Sequence, residues 1–478
     1  MGLGLYNDNK VMVDRFLFEQ CAWGPVSGGA GTNIENDGKR YIYAYFQTST
    51  TAAQFWRYCT WGDSWQQLAT PPTQTGTVSN MVYARQMGSQ VNGQVHGSVF
   101  LFTGNGTVCY WYKYDIGTNT WSANLGTTGI PANFATDVYV NFPSPPKNNY
   151  EYVYHTGVTK TVSLAASAAA GATTLSVATL PEAMKAGTCL RFQSYNMTIT
   201  SAASKGGVTL SVSGNVEAMK AGSIFYTNDG REFCLSADSL AGAATLSVQP
   251  LPRDIQISSV VVIEKMAVLT ADAAQGVTSL TVSPLRVGIP NASVAPYYGN
   301  MYMMGNNSAI MYRYNIGANA WYTTSANSGN PAIPAMAGVV GVGCALKWLP
   351  AYEPNKLFII RGNGTANIYT YDLVNNVFAI LTYYPATETF STGTMAAARD
   401  VGGKQANLII HKDGTNRYYE FIPYKNTLEP KLMQQQYPSS TVVVGDKTCV
   451  MTSPDGVDYL YTILHSTNAV VRCPLIDS

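Results

Sequence analysis

Aromatic and aliphatic residues alternate with polar ones in short runs at both ends of the chain, as in Tyr41-Ile-Tyr43-Ala-Tyr45. A period of two predicts β-strands that are buried on one face. Further strands are predicted at 79–86, 98–103, 108–114, 357–360, 368–371, 378–381, 395–398, 407–411, 417–422, 448–452, 459–464 and 469–473. Turn residues separate these runs, so the pattern predicts an all-β protein.

One ten-residue frame recurs within this pattern. It is Tyr-Lys-Tyr-Asp-Ile-Gly-Thr-Asn-Thr-Trp at 112–121 and Tyr-Arg-Tyr-Asn-Ile-Gly-Ala-Asn-Ala-Trp at 312–321. A third copy occupies 369–378, and a weaker one runs from Arg57-Tyr58 to Trp65. The frame predicts a strand, a tight turn and an aromatic residue that opens the next strand. We expect Trp121 and Trp321 to be buried against neighbouring sheets.

The frame resembles the kelch repeat, whose blades carry a Tyr-Asp turn followed by Trp. The doubled glycine usual in kelch blades is missing here. The resemblance implies a kelch-like β-propeller, and the strand count indicates about six blades, with five or seven as alternatives. The first predicted run, near 11–18, has no earlier partner, so we expect it to complete the last blade and remove two exposed edges.

A different repeat interrupts the third blade between residues 160 and 296. Leu175, Leu210, Leu246 and Leu280 each follow a glycine by four residues and precede a valine by two. The period of about 35 residues predicts four small β units stacked in series. The predicted domains are therefore 1–159 (first part of the propeller), 160–296 (inserted four-repeat domain) and 297–478 (second part). These Gly-Ala-Thr-Thr-Leu-Ser-Val units are similar to small β modules of tailed-bacteriophage structural proteins.

Composition narrows the classes of function. Only 12% of residues are charged and the net charge is +1, so no basic field favours nucleic acid. The first twenty residues lack the pattern of a signal peptide, and no apolar run is long enough to span a membrane. The eight cysteines form no Cys-x-x-Cys pair, which favours buried free thiols.

Residues with catalytic or ligand-binding chemistry are scattered. His155, His411 and His465 end equivalent predicted strands, and Arg361 aligns with them. Convergence around the ring would create a metal or anion site, whereas the favoured interpretation is solvent-exposed strand ends. With no paired acids, metal motif or phosphate loop, the sequence predicts no catalytic residue, cofactor or metal. The prediction is that the protein is not an enzyme.

Two functions are consistent with these features. The similarity to phage modules implies a structural component of a tailed-phage virion, in the tail, neck or vertex apparatus, oligomeric and bound to other virion proteins. The alternative is a carbohydrate-binding or host-receptor module that binds a surface glycan. The candidate interaction surface comprises five aromatic residues that could stack on sugars: Trp56, Tyr58, Trp61, Tyr110 and Tyr112.

Overall fold

The alternating segments form antiparallel sheets of four strands in a computed structural model of the chain. The structure describes residues 19–475, apart from 73–77, 85–89, 126–138, 142–159, 323–331, 400–405, 433–446 and shorter gaps of one to four residues. The described residues contain strands, bridges and turns but no helix, which confirms the all-β prediction.

Two sheets precede the insertion. Sheet 1 contains β2 to β5, and sheet 2 contains β6, β9, β10 and β11, while β7 and β8 form a separate hairpin. The strands are β1 Glu19–Gln20, β2 Asn33–Asn36, β3 Tyr41–Gln47, β4 Ala53–Cys59, β5 Ser64–Gln67, β6 Val78–Ala84, β7 Gln90–Val91, β8 Gln94–Val95, β9 Ser98–Gly104, β10 Cys109–Asp115, β11 Thr120–Trp121 and β12 Tyr139–Asn141. Sheet 3 starts with β12 and is completed only after the insertion.

The insertion contributes ten strands. They are β13 Lys160–Ser163, β14 Thr174–Ser176, β15 Cys189–Thr198, β16 Thr209–Ser211, β17 Ile224–Thr227, β18 Glu232–Cys234, β19 Thr245–Ser247, β20 Val260–Val268, β21 Ser279–Thr281 and β22 Val294–Tyr297. Strands β13 and β22 pair with each other where the chain enters and leaves the insertion.

The remaining strands complete four more sheets. They are β23 Asn300–Met304, β24 Met311–Asn315, β25 Ala320–Tyr322, β26 Ala345–Trp348, β27 Lys356–Ile360, β28 Ile368–Asp372, β29 Val377–Ile380, β30 Met395–Arg399, β31 Asn407–His411, β32 Arg417–Ile422, β33 Thr427–Leu432, β34 Lys447–Thr452, β35 Asp458–Leu464 and β36 Ala469–Leu475. Strands β12 and β23 to β25 form sheet 3, β26 to β29 form sheet 4, and β30 to β33 form sheet 5.

Sheet 6 joins the two ends of the chain. It consists of β34, β35 and β36 with β1 as the fourth strand, and Gln20 pairs with Val471. The N-terminal segment therefore adds the outer strand of the last sheet, at Glu19–Gln20. The run 11–18 that the sequence analysis assigned to this role lies outside the described residues.

Aromatic rings connect one sheet to the next. The Tyr of each frame, or Phe421 in sheet 5, packs on an aromatic residue of the preceding sheet, as in a β-propeller. The ring pairs are Tyr58–Tyr461 (6.2 Å), Tyr114–Phe55 (4.8 Å), Tyr314–Trp111 (5.6 Å), Tyr371–Tyr302 (6.1 Å) and Phe421–Phe358 (6.4 Å). First strands of consecutive sheets also contact each other, and β34 contacts β2.

The interface between sheets 5 and 6 contains a buried ion pair in addition to apolar contacts. Arg399 Nε donates to Asp458 Oδ2 at 3.0 Å, and both side chains are buried. Glu420 Oε1 lies 3.9 Å from the Arg399 guanidinium and accepts a hydrogen bond from Asn407 Nδ2 at 2.6 Å. This buried ion pair joins the two sheets. Removing one partner would destabilise the protein, because the other charge would stay buried and uncompensated.

Each frame turn is fixed by a hydrogen bond from Tyr to a residue five positions later. The bonds run from Tyr58 to Asp63 (2.6 Å), from Tyr114 to Asn119 (2.7 Å), from Tyr314 to Asn319 (2.5 Å) and from Tyr371 to Asn376 (2.5 Å). The four acceptors have positive φ angles, which Asn and Asp tolerate better than most residues. We call this bonded pair the Tyr–Asx clamp.

The Tyr–Asx clamp also holds the linker from the preceding sheet. Asn119 Oδ1 accepts from the Ala69 amide at 2.8 Å, and Asp63 Oδ1 accepts from the Ala22 amide at 2.7 Å. The Trp that follows the turn donates to the same linker residue, since Trp121 Nε1 lies 3.0 Å from the Ala69 carbonyl oxygen. The turn and the linker are thereby fixed to each other.

The burial of the two frame tryptophans differs. Trp321 is 4% exposed and packs on Trp111 with ring centroids 5.5 Å apart, which confirms its predicted burial. Trp121 packs on Phe55 at 5.0 Å but is only half-buried. The predicted position between sheets is therefore correct for both, and full burial applies only to Trp321.

The four repeats of the insertion pair in a nested order. Leu175 of the first repeat pairs with Leu280 of the fourth, and Leu210 of the second pairs with Leu246 of the third. Repeats one and four share one apolar core, and repeats two and three share another. The expected serial stacking is wrong, because each short Leu-centred strand pairs with its counterpart across a two-repeat lobe. The domain boundaries at 159/160 and 296/297 stay a prediction.

A positive φ explains the glycine of each repeat. Gly171, Gly206, Gly242 and Gly276 have φ angles of 91°, 80°, 84° and 88°, a region that residues with a Cβ rarely adopt. The amide of Gly171 then bonds the Leu285 carbonyl, and that of Gly206 bonds the Leu251 carbonyl.

The Tyr–Asx clamp predicts unequal effects for two substitutions at Asn119. Asn119→Gly keeps the backbone conformation but removes both hydrogen bonds, so we expect a loss of about 1–2 kcal/mol in unfolding free energy. Asn119→Ala removes the same hydrogen bonds but keeps a Cβ at a positive φ, which alanine tolerates less well than glycine, so we expect roughly 1 kcal/mol more. Chemical denaturation of the two variants and the wild type measures both losses. Wild-type stability in the glycine variant would contradict the role of the clamp.

Candidate functional site

The five predicted interaction residues divide by exposure. Tyr58 and Tyr112 are 1% and 5% exposed, so neither ring has a face open to a ligand. Tyr58 is buried because it belongs to a Tyr–Asx clamp, and Tyr112 because its strand packs between sheets. The proposed contact role of these two residues is therefore corrected.

The other three residues retain exposed surface. Trp56 is half-buried and donates from Nε1 to Gln54 Oε1 at 3.0 Å. Tyr110 is half-buried and stacks on Tyr112, with centroids 6.0 Å apart. Trp61 is 42% exposed. Trp61 therefore offers the most accessible aromatic ring of the predicted set.

Trp61 lies in the turn between β4 and β5. The Thr60 amide donates to the Arg40 carbonyl oxygen at 3.0 Å, which joins this turn to the start of β3. Asp63, at φ 44°, closes the turn through its bond with Tyr58. The Ala22 amide donates to the same carboxylate, and the next residue, Trp23, is 61% exposed. The exposed Trp61 thus stands on a turn with fixed geometry.

Two arginines and two aromatic rings form a stack beside this turn. Arg57 Cζ lies 4.5 Å from the centroid of the Tyr41 ring. Arg40 Cζ lies 5.3 Å from the same centroid and 5.1 Å from that of Trp61. A guanidinium over an aromatic face is attracted by the ring quadrupole. We name these four residues the Arg–aromatic stack.

Neighbouring side chains and strands orient the Arg–aromatic stack. Arg57 donates from Nε and Nη2 to Gln66 Oε1, at 2.8 and 2.6 Å. Arg40 donates from Nε to Cys59 Sγ at 3.3 Å. The position of Tyr41 follows from its strand, where it pairs with Cys59 in the register of β3 and β4.

The contact between Arg40 and Cys59 shifts the pKa values of both side chains. The hydrogen bond to Cys59 is the main cause that raises the pKa of Arg40. Burial alone would raise the pKa of Cys59, but hydrogen bonds from Arg40 and from the amides of Gly62 and Trp61 outweigh it and lower that pKa. Arg40 therefore stays fully cationic beside the exposed ring.

Sequence analysis missed three members of the Arg–aromatic stack: Arg40, Tyr41 and Arg57. Tyr41 and Arg57 lie on β3 and β4, Arg40 immediately precedes β3, and their contact depends on the β3–β4 register. One signal was present, because Arg57 and Cys59 alternate on one face of a strand that ends two residues before Trp61. Hairpin pairing alone would have placed Arg57 diagonally opposite Tyr41.

The histidine site proposed from sequence is only partly described. His155 and His465 lie outside the described residues, and Arg361 donates from Nε to the Val339 carbonyl oxygen at 2.9 Å. His411 is fully buried, so the expected solvent-exposed strand end is wrong for this residue. Desolvation lowers the pKa of His411 to about 4.

Neither a group of metal ligands nor a membrane-spanning helix occurs in the described part of the chain. It contains no group of three or more His, Cys, Asp or Glu side chains positioned to hold a metal ion. Among the described residues, no helix is long and apolar enough to cross a membrane. All eight cysteines are free thiols, and six of them are buried.

Comparison with known proteins finds similarity in structure only. No protein-family model matches the chain, and no characterised protein matches its sequence. Similar solved structures include a point mutant of the Fusarium graminearum α-L-arabinofuranosidase Arb93A in complex with an iminosugar inhibitor (8% identity, 96% of this chain and 98% of that chain, TM-score 0.39). A Penicillium chrysogenum α-L-arabinanase complexed with arabinobiose gives 9% identity, coverages of 96% and 98%, and a TM-score of 0.36. The six-bladed β-propeller lectin of Aleuria aurantia, which recognises fucose, gives 8% identity, coverages of 95% and 97%, and a TM-score of 0.37.

These similarities contradict the prediction that the protein is not an enzyme. The arabinofuranosidase and the arabinanase are enzymes with a propeller fold. The prediction relied on motifs missing from the linear sequence. Sheets arranged in a propeller bring together carboxylates that are far apart in sequence. The lack of paired acids in the linear sequence therefore does not exclude catalysis.

The buried His411 predicts a specific pH dependence of stability. Its pKa is about 4 in the folded protein against 6.5 when exposed, so the unfolded chain binds a proton that the native protein does not. Stability should therefore fall as pH decreases from 6.5 to 4, by roughly 3 kcal/mol from this residue. Denaturation at several pH values, compared between wild type and His411→Gln, isolates this contribution. Identical pH slopes for the two proteins would contradict it.

Proposed function

We propose that the protein is a carbohydrate-binding β-propeller and that the Arg–aromatic stack of sheet 1 is its glycan-binding surface. The observation that carries the proposal is the exposed Trp61 ring held beside the Arg40 guanidinium at 5.1 Å. An aromatic face packs against the C–H face of a sugar ring, and fixed guanidinium N–H groups donate to its hydroxyl oxygens. Both requirements meet where the turns of two hairpins of sheet 1 are joined by the bond from the Thr60 amide to the Arg40 carbonyl oxygen.

We further propose that the six four-stranded sheets are six blades of one ring. Contacts between consecutive first strands, together with the β34–β2 contact, support this number. The aromatic pairs between sheets support the same order. In this arrangement β1 completes the sixth blade and brings Ala22 to the turn that carries Trp61.

A virion component of a tailed phage is the second candidate, with other virion proteins as partners. The observation that favours it is exposed apolar surface in the lobe of repeats two and three. Leu240, Ile257 and Val208 are 80%, 59% and 56% exposed. These residues lie six before, eleven after and two before a repeat leucine. The six equivalent positions of the other lobe are all Ala, Thr or Asn. Exposed apolar side chains of this kind favour a protein contact.

Mass spectrometry of purified particles from the source tests the virion candidate. A fixed copy number of the chain in the particle would support it, and an oligomer there would be stabilised by contacts of the insertion. Detection of the chain only in the lysate and never in particles would contradict it.

The carbohydrate proposal predicts that Trp61→Ala weakens binding at least tenfold, because stacking on a sugar contributes about 1–3 kcal/mol by analogy with other ring-stacking contacts. A glycan array identifies a binding saccharide, and calorimetry then compares the variants. Tyr384→Ala, which removes a 79% exposed ring in the segment after β29, serves as the control and should bind like the wild type. Equal weakening by both variants, or none by Trp61→Ala, would contradict the assignment of the surface.

A further inference from the structure

We infer that the Arg–aromatic stack selects acidic saccharides, and that Arg40 binds the carboxylate of a uronic acid unit. The inference rests on the proposed carbohydrate function and adds the chemical class of the ligand. It follows from the charge and hydrogen-bonding state of the two arginines rather than from the aromatic rings.

Arg40 has donors left for a ligand. Its Nε is occupied by Cys59 Sγ, while Tyr41 and Trp61 lie against the guanidinium. Within the described residues, neither terminal nitrogen of Arg40 has a hydrogen-bond acceptor. The two terminal nitrogens of a guanidinium form a fork that matches two carboxylate oxygens.

Two nearby acids bond other donors through Oδ1. Asp37 Oδ1 accepts the backbone amides of Arg40 and Tyr41, at 2.9 and 3.0 Å. Asp63 Oδ1 accepts the Ala22 amide and the Tyr58 hydroxyl. In the part of the chain described by the structure, neither Arg40 nor Arg57 forms a salt bridge.

Arg57 adds a second positive charge at fixed distance. Gln66 holds its Nε and Nη2, so Arg57 stays over Tyr41 instead of turning to solvent. Two cations on the Tyr41 ring, one of them also beside the exposed Trp61 indole, distinguish this surface from a neutral sugar platform. A sugar carboxylate bound there would be attracted by both charges, and salt would screen that attraction.

Another arginine of the protein provides a matched comparison. Arg472 Cζ lies 4.7 Å from the Tyr459 ring centroid on sheet 6. Arg472 is half-buried and belongs to a packed sheet, whereas Arg40 is exposed next to Trp61. Arg472→Gln therefore removes a cation–π contact and one charge at a residue outside the Arg–aromatic stack.

Calorimetric titration of the full chain at low salt tests the inference with oligogalacturonides and their methyl esters, which share the sugar ring but differ in charge. We expect the acid to bind at least tenfold more tightly than the ester. Arg40→Gln should abolish this preference, because it weakens acid binding more than ester binding, Arg40→Lys should retain part of it, and Arg472→Gln should retain all of it. Each variant is checked by its thermal unfolding.

The possible outcomes distinguish a failure of the acidic preference from a failure of carbohydrate binding. Equal affinity of the wild type for acid and ester would overturn the acidic preference while leaving carbohydrate binding intact. Tighter binding of a sulfated neutral galactan than of the oligogalacturonide would overturn the carboxylate assignment. Binding to no saccharide, in this titration and on a glycan array, would overturn both proposals.

Discussion

A tyrosine hydroxyl bonded to an Asn or Asp five residues later fixes the turn of sheets 1 to 4. The same side chain accepts the amide of the preceding linker at Asp63 and at Asn119, so one residue joins a turn to the sheet before it. Because the phenol ring also packs on an aromatic residue of that preceding sheet, the clamp sets both the turn and the spacing of the sheets. The position of Trp61 depends directly on this interaction.

The insertion is held together by a different kind of constraint. Its four leucines are fully buried in two pairs, and each lobe closes around its own apolar core. The long strands β15 and β20 pair along most of their length and pass from one lobe to the other. Lys265 and Glu217 form a largely buried ion pair at 2.5 Å near this passage. Among the described residues, the apolar core of each lobe is built from side chains of the insertion.

Local patterns predicted much of this structure. Alternation located the strands, and the frame located the turns, since both depend on residues a few positions apart. The pairing of repeats could not be predicted, because Leu175 has the same spacing and chemistry opposite any of the other three leucines. Alternation assigns residues to one of two strand faces, but it does not predict that the face with Tyr58 or Tyr112 packs on a neighbouring sheet. The Arg–aromatic stack escaped prediction because Arg40 and Trp61 meet only through the turns of two hairpins.

The position of Trp61 depends on Asp63. Its carboxylate accepts the Ala22 amide, which follows β1, and the Tyr58 hydroxyl, which closes the turn that contains Trp61. Hydrogen exchange resolved to the Ala22 amide, compared between wild type and Asp63→Gly, tests this coupling most directly. Glycine accepts the positive φ, so the substitution removes the carboxylate without straining the turn. We predict slow exchange at Ala22 in the wild type and fast exchange in the variant. Equal exchange rates in the two proteins would contradict the account.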